Sequence, residues 1–216
     1  MNLKVTSRTL SIAGRQIRFD LPADPEELLQ QALDGEAKGS CDWDPYWGLL
    51  WAAAPKTAEV ILQHRWQKPL RSMELGCGVG VAGIAALMAG LDVTFADHAA
   101  DAVRMAQSNA AQNGFSDAAG LMFDWQHPPA EQFDFIFGSD ILYDSAGHEP
   151  LLQTLKSMLS PGGEVWIGDA GRINAPRFVE QAIKAGWSVE LRNTMNEPIK
   201  KPGHLEYRLI VLSRKA

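Results

Sequence analysis

From about residue 72 onward, short apolar runs alternate with stretches in which apolar residues recur at helical spacing. The runs are Ser72–Leu75, Asp92–Ala96, Leu121–Phe123, Phe133–Gly138 and Glu164–Gly168. The helical stretches are Val81–Met88, Ala100–Gln112, Glu149–Leu159 and Pro176–Ala185. Near-continuous apolar strands separated by helices predict βαβ units and a parallel sheet covered on both faces. Asn113-Gly114 predicts a helix stop, and Pro161-Gly162-Gly163 a firm break. Trp187–Arg192 and Glu206–Leu212 carry strand patterns with no helical pattern between them. A loop from Pro198 to Gly203 separates them, which predicts an antiparallel pair at the sheet edge.

The chain before this region is organised differently. Alternation on either side of Ala13-Gly14 predicts a hairpin over Val5 to Phe19. Asp24-Pro25-Glu26-Glu27 reads as a helix start, with Leu28, Leu29, Ala32 and Leu33 as its buried stripe. A further helix is expected from Pro55 to His64. Before it, Trp43, Tyr46, Trp47 and Trp51 form a dense aromatic patch that serves either as packed wall or as one side of a ligand site. Residues 1–40 are therefore expected to form an extension, and residues 41–216 an α/β domain.

The chain has 216 residues, 46% of them hydrophobic, which suffices for one α/β domain with a substantial core. Its formal net charge of -6 removes the easiest route to nucleic acid, the neutralisation of phosphates by clustered Lys and Arg. Cys41 and Cys77 make no disulfide framework. Met1 to Phe19 has no continuous apolar segment of the kind a signal peptide needs, and no run has the length of a membrane span. The expectation is a cytoplasmic protein without membrane or nucleic-acid partners. His64, His127, His148 and His204 show no metal-ligand spacing, so no metal site is expected.

The strongest local signal is Glu74-Leu75-Gly76-Cys77-Gly78-Val79-Gly80, which follows a predicted strand and opens a helix. Glycines let a ligand approach the backbone, and the helix N-terminus beyond offers free N–H groups. Gly78 to Gly83 also fits the G-x-G-x-x-G dinucleotide fingerprint. Asp97, at the end of the next strand, would accept hydrogen bonds from ribose hydroxyls in either case. Glu74 tips the balance. A carboxylate beside the glycines favours the ammonium and sulfonium of S-adenosylmethionine and repels a pyrophosphate. The short chain and the antiparallel final strands also depart from a standard dinucleotide fold.

The sequence resembles the class I methyltransferases and, within them, methyltransferase family 16, the seven-β-strand lysine methyltransferases. The matching segments are Asp44-Pro45-Tyr46-Trp47 with Leu50-Trp51, the glycine loop, Gly138-Ser139-Asp140-Ile141-Leu142-Tyr143-Asp144, and Ile167-Gly168-Asp169-Ala170-Gly171-Arg172. The fold this implies is α/β: a Rossmann-like, seven-stranded, mostly parallel sheet with helices on both faces and an antiparallel final strand, after an N-terminal hairpin and helix. The implied cofactor is S-adenosylmethionine. By the same resemblance Trp51 would pack beside it, and Glu74, Gly76, Gly78 and Gly80 would line its methionine part. Cys77 sits in the same loop, where a small residue fits. Asp97 would hold the ribose, Asp124 the adenine amino group, and Trp125 would lie beside the ring. Asp140 and Tyr143 would be catalytic, where cofactor and acceptor meet. The implied partner is a protein substrate, as for the family members that act on the electron-transfer flavoprotein β-subunit. Three readings stay open: a protein lysine methyltransferase, a methyltransferase for a small amine or metabolite, and a nicotinamide-dinucleotide-binding or non-catalytic S-adenosylmethionine-binding protein. Asp169 and Arg172 either pair structurally in a loop or belong to the site.

Overall fold

The computed structural model describes residues 4–24, 26–30, 45–200 and 205–214. Cys41, Trp43, Asp44, His204, Pro25, Ala32 and Leu33 lie outside them, as does part of the loop expected from Pro198 to Gly203. Strands β1 (Val5–Ile12) and β2 (Arg15–Pro22) form an antiparallel hairpin. Both turn residues, Ala13 and Gly14, have positive φ, the geometry that matches the twist of two joined strands. Residues 26–30 are helical, and Asp24 Oδ1 accepts the Glu26 N–H at their start. Only half of the expected stripe there is buried among the described residues: Leu28 is covered, whereas Leu29 faces solvent. Leu28 packs with Trp47 and Ala102, and its neighbour is turned about 100° away around the helix.

The body contains α1 (Ala53–Gln63), β3 (Arg71–Leu75), α2 (Val81–Met88), β4 (Asp92–Asp97), α3 (Ala100–Gln112) and β5 (Ala119–Met122). It continues through β6 (Phe133–Ser139), α4 (His148–Met158), β7 (Leu159–Asp169), α5 (Ala175–Lys184), β8 (Trp187–Arg192) and β9 (Arg208–Arg214). The seven-stranded sheet has the order β5-β4-β3-β6-β7-β9-β8. Strands β3 to β7 pair in parallel, and β9 runs antiparallel to both β7 and β8. Strand order reverses between β3 and β6, which opens a crevice at their C-terminal ends.

Alternation assigns each strand residue to one of two cores. Phe135, Phe137, Trp166, Leu209 and Val211 face α1, α2, α3 and the hairpin. Their neighbours Ile136, Val165, Ile167, Ile210 and Leu212 face α4 and α5. One expectation needs correcting. Pro161-Gly162-Gly163 does not end the strand pairing. Strand β7 already begins at Leu159, opposite Phe133, and Glu164 pairs with Phe135. Between these two pairs, Asp134 alone of β6 lies opposite four residues of β7, Ser160 to Gly163. The extra residues bulge out, with Gly162 at φ 79°.

The hairpin shares the first core: Ile12, Ile17, Phe19 and Leu21 are buried in it. Its outer edge is held by two side chains of α3. The Asn109 amide accepts the Asp20 N–H (2.8 Å) and donates to the Asp20 carbonyl (2.9 Å). The Asn113 amide does the same for Arg18, at 3.0 Å and as a donor at 2.6 Å. Residues four apart on a helix lie above one another, and residues two apart on a strand face the same way, so the two amides stand in for a neighbouring strand. Asn109 also donates to the Val79 carbonyl in the glycine loop (2.9 Å), joining hairpin to loop.

Two stability effects are expected in denaturant titrations of the whole chain. Phe19→Ala should cost about 3–5 kcal/mol, because the ring is fully buried. Asn109→Ala should cost about 2–3 kcal/mol, because backbone groups of Asp20 and Val79 lose their partner. A loss under about 1 kcal/mol for both would show that the hairpin adds little to the fold.

Candidate active site

A cavity of about 900 Å³ lies at the C-terminal ends of β3, β4 and β6. Its floor is the turn between β3 and α2. Gly76, Gly78 and Gly80 all have positive φ, at 62°, 50° and 81°. Gly78 also passes so close to the Trp47 carbonyl that a Cβ would lie 2.9 Å from that oxygen. Among the residues expected at the site, Trp51, Glu74, Gly76, Cys77, Gly78, Asp97, Asp124, Trp125, Asp140 and Tyr143 line this cavity. Gly80 does not. It precedes the first turn of α2 and is packed against Ala106 and Phe95 behind the loop.

The carboxylates are held by backbone donors. Glu74 is buried, and its Oε2 accepts the Gly83 N–H at 2.9 Å, so β3 caps the start of α2. Burial pushes the Glu74 carboxyl well above its usual range. The Gly83 N–H opposes this and the nearby Asp97 adds to it. Burial likewise raises the Cys77 thiol, as do Asp97 and Glu74, which leaves it inert. Asp97 takes the Gly78 N–H on Oδ2 (3.1 Å) and the Ala99 N–H on Oδ1 (3.0 Å), with His98 Nδ1 3.3 Å from Oδ1. Asp124 is exposed. Its carboxyl is held below the usual range by the Gln126 N–H and by His127, whose Nδ1 is 3.0 Å away.

Asp140 is the most constrained of the set. It has φ 58°, a left-handed conformation that Asp tolerates better than most residues. Its own N–H donates to the Gly168 carbonyl at 2.8 Å. Its Oδ2 accepts the Ala53 N–H at the start of α1 (2.8 Å). Its Oδ1 accepts the Ala170 N–H (3.2 Å) and Arg172 Nε (3.1 Å). The side chain thus caps α1, which lies 87 positions upstream, and not a helix of its own.

Arg172 lines the cavity without having been assigned there from sequence. Its guanidinium carbon lies 5.0 Å from the Trp51 ring centre and 5.9 Å from that of Tyr143. Of the two alternatives for Asp169 and Arg172, the side-chain pair is not formed, and Arg172 lies at the cavity. Asp169 Oδ1 takes the Arg172 backbone N–H, and its charged partner is Arg208 of β9 at 3.3 Å, both side chains buried. The aromatic patch divides between its two readings. Trp47 is buried against Leu28 and Ala102 and also borders the cavity, whereas Tyr46 and Trp51 are partly exposed on its wall, edge to face at 6.3 Å.

Among the described residues, five carboxylates line the cavity, from Glu74, Asp97, Asp124, Asp140 and Asp144, against one guanidinium, Arg172. Such a lining suits a ligand carrying positive charge and opposes the two phosphates of a dinucleotide. Among the described residues no helix is long and apolar enough to cross a membrane.

A model of the family described as lysine methyltransferase matches residues 45–182. The electron transfer flavoprotein beta subunit lysine methyltransferase of Danio rerio is 30% identical over 135 residues. The match covers 60% of this chain and 51% of that protein, so the chain spans about half the length of this relative. A ribosomal protein L11 methylase from Lactobacillus delbrueckii subsp. bulgaricus superposes with a TM-score of 0.63 at 20% identity, over 78% of this chain and 81% of its own. The glycopeptide N-methyltransferase MtfA, complexed with (S)-adenosyl-L-homocysteine, superposes with a TM-score of 0.62 at 13% identity, over 77% and 92%. At these identities the two structures show a shared fold. The family match begins at the turn carrying Tyr46 and Trp47, runs through the whole cavity-forming region and ends in α5; this chain belongs to the lysine methyltransferase family.

Proposed function

We propose that this chain is an S-adenosylmethionine-dependent methyltransferase that modifies lysine side chains of a protein. The carrying observation is the acidic cavity over the glycine loop, at the point where strand order reverses. Its size suits a ligand of nucleoside-amino-acid dimensions, and its charge suits an ammonium and a sulfonium. The relative's name supports a protein acceptor, and the β-subunit of electron-transfer flavoprotein is the first substrate to try.

When bound, S-adenosylmethionine supplies a methyl group already activated by its sulfonium. The chain's own task is then to bind, align and exclude water. Glu74 and the glycine loop would hold the amino-acid end, and Asp97 the ribose. Asp124 and Trp125 would face the adenine. Asp140, fixed by the Ala53 and Ala170 N–H groups, would present a stationary negative charge to the incoming amine. Tyr143 and Trp51 would wall its path. A lysine amine has an ordinary pKa near 10.4 and must lose its proton before it attacks. Desolvation among the rings would lower that value, and the proton would leave to solvent.

Calorimetric titration with S-adenosylmethionine, S-adenosylhomocysteine and NAD in parallel is the direct test. Binding of the first two without the third is the expected result. Binding of NAD alone would overturn the reading. Incubation with labelled cofactor and electron-transfer flavoprotein should then transfer label to a lysine of the β-subunit.

Two variants sharpen the assignments. Asp140→Asn keeps the side chain's shape but removes the charge that faces the amine. Its turnover should fall at least about a hundredfold, a loss of about 2.7 kcal/mol of transition-state stabilisation. Near-native turnover in the folded variant would remove Asp140 from the mechanism. Glu74→Gln should affect stability and binding in opposite directions. The folded pKa of Glu74 lies above its unfolded value, so its contribution is full below the unfolded pKa and is lost as pH rises through the folded one. The ligand-free variant should therefore melt above wild type at pH 8, with the gap closing on acidification. Its affinity for S-adenosylmethionine should fall about tenfold, through loss of a charge-assisted contact.

A further inference from the structure

Arg172 hangs from the loop after β7. Its backbone N–H is tied to Asp169, and the next residue, Ile173, stands in solvent. Its side chain turns back into the cavity and meets three groups: the Trp51 ring at 5.0 Å, the Tyr143 ring at 5.9 Å, and Asp140 Oδ1 at 3.1 Å. Two ring faces and a carboxylate make a receptor for an organic cation. In this structure the occupant of the receptor is a tethered cation of the chain itself.

The bonds to Asp140 show which contact can be exchanged. The Ala53 and Ala170 N–H groups belong to the backbone and stay with the fold. The Arg172 guanidinium is a side chain about a quarter exposed, and it can swing out. Asp140 itself is buried, so losing Arg172 without replacement would strand an unpaired charge.

We propose that Arg172 is an internal surrogate for the methyl acceptor. Its guanidinium fills the slot between Trp51, Tyr143 and Asp140 until a primary alkylammonium side chain displaces it. The biological meaning of this exchange rests on the amine-methyltransferase reading above. One cation replaces another, so Asp140 remains paired throughout. A neutral side chain that displaced Arg172 would leave Asp140 uncompensated and would be rejected. Asp140 thereby sets selectivity for a cationic acceptor, and Arg172 lowers the acceptor's apparent affinity by the fraction of time the slot is closed. Capture is of the protonated amine, whose proton is lost to solvent before the nitrogen can attack.

The test is calorimetric titration of the full chain with n-butylammonium chloride, an analogue of the lysine side chain, and with n-butanol as its neutral match. Wild type is compared with Arg172→Ala, which empties the slot, and with Arg172→Met, which keeps apolar packing between the rings. Both variants should bind n-butylammonium about tenfold more tightly than wild type, and each should prefer it to n-butanol, because Asp140 faces the emptied slot. Equal affinity in all three proteins would overturn the proposal. So would n-butanol binding the variants as tightly as n-butylammonium, which would mean only a wider apolar cavity. Failure of both variants to fold in a thermal melt would make Arg172 structural and overturn it as well. Titration with S-adenosylmethionine alone is read separately. Its failure would count against the methyltransferase reading, whereas a missing n-butylammonium gain would count against the role of Arg172.

Discussion

The carboxylate of Asp140 joins three parts of the molecule that are far apart in sequence. It receives the first N–H of α1, the Ala170 N–H just past β7, and the Arg172 side chain, while its own N–H is anchored to the Gly168 carbonyl. The left-handed backbone at Asp140 makes this convergence possible by turning the chain sharply as β6 ends. Such a conformation costs of order 1–3 kcal/mol and persists only where its surroundings over-determine it. Here three donors do so. The mouth of the cavity, the start of α1 and the loop after β7 therefore move as one unit or not at all.

Around that tie the site is built on backbone amides and carboxylates. Glu74 caps α2, and Asp97 holds Gly78 and Ala99. Each acidic group answers to peptide N–H groups that the fold fixes in place, so the carboxylates themselves keep their positions when a cation enters. The raised pKa of Glu74 is the cost of keeping that acid away from water in the absence of a positive ligand.

Much of this was legible in the sequence, and the parts that were not share one cause. The near-continuous apolar runs of β6 and β7 announced two covered faces because the composition of a strand is local. The glycine loop and Asp97 were legible because they follow one another across a single βαβ unit. The Asp140–Ala53 cap, the Asp140–Arg172 pair and the Asp169–Arg208 pair join residues at separations no periodicity encodes. The sequence left Arg172 open between a loop ion pair and the site, and nothing local says that it turns toward Asp140. The Pro161-Gly162-Gly163 segment misled in another way. Its composition speaks for a break, and the strand accommodates it as a bulge because β6 continues alongside. Leu29 misled because a stripe was drawn from hydrophobicity alone, and its position lies about 100° around the helix from the buried Leu28.

The amide pairs from Asn109 and Asn113 to Asp20 and Arg18 have a consequence beyond stability. A two-stranded ribbon has two open margins, and each is a template on which another chain can extend the ladder. On β2 the polar groups that would recruit a stranger are already engaged by α3. Side-chain carboxamides cannot pass the pairing on, because a helix offers no further margin to copy. The same contacts that fasten the hairpin therefore also close this stretch of the β2 margin, at Arg18 and Asp20, to a strand from another molecule.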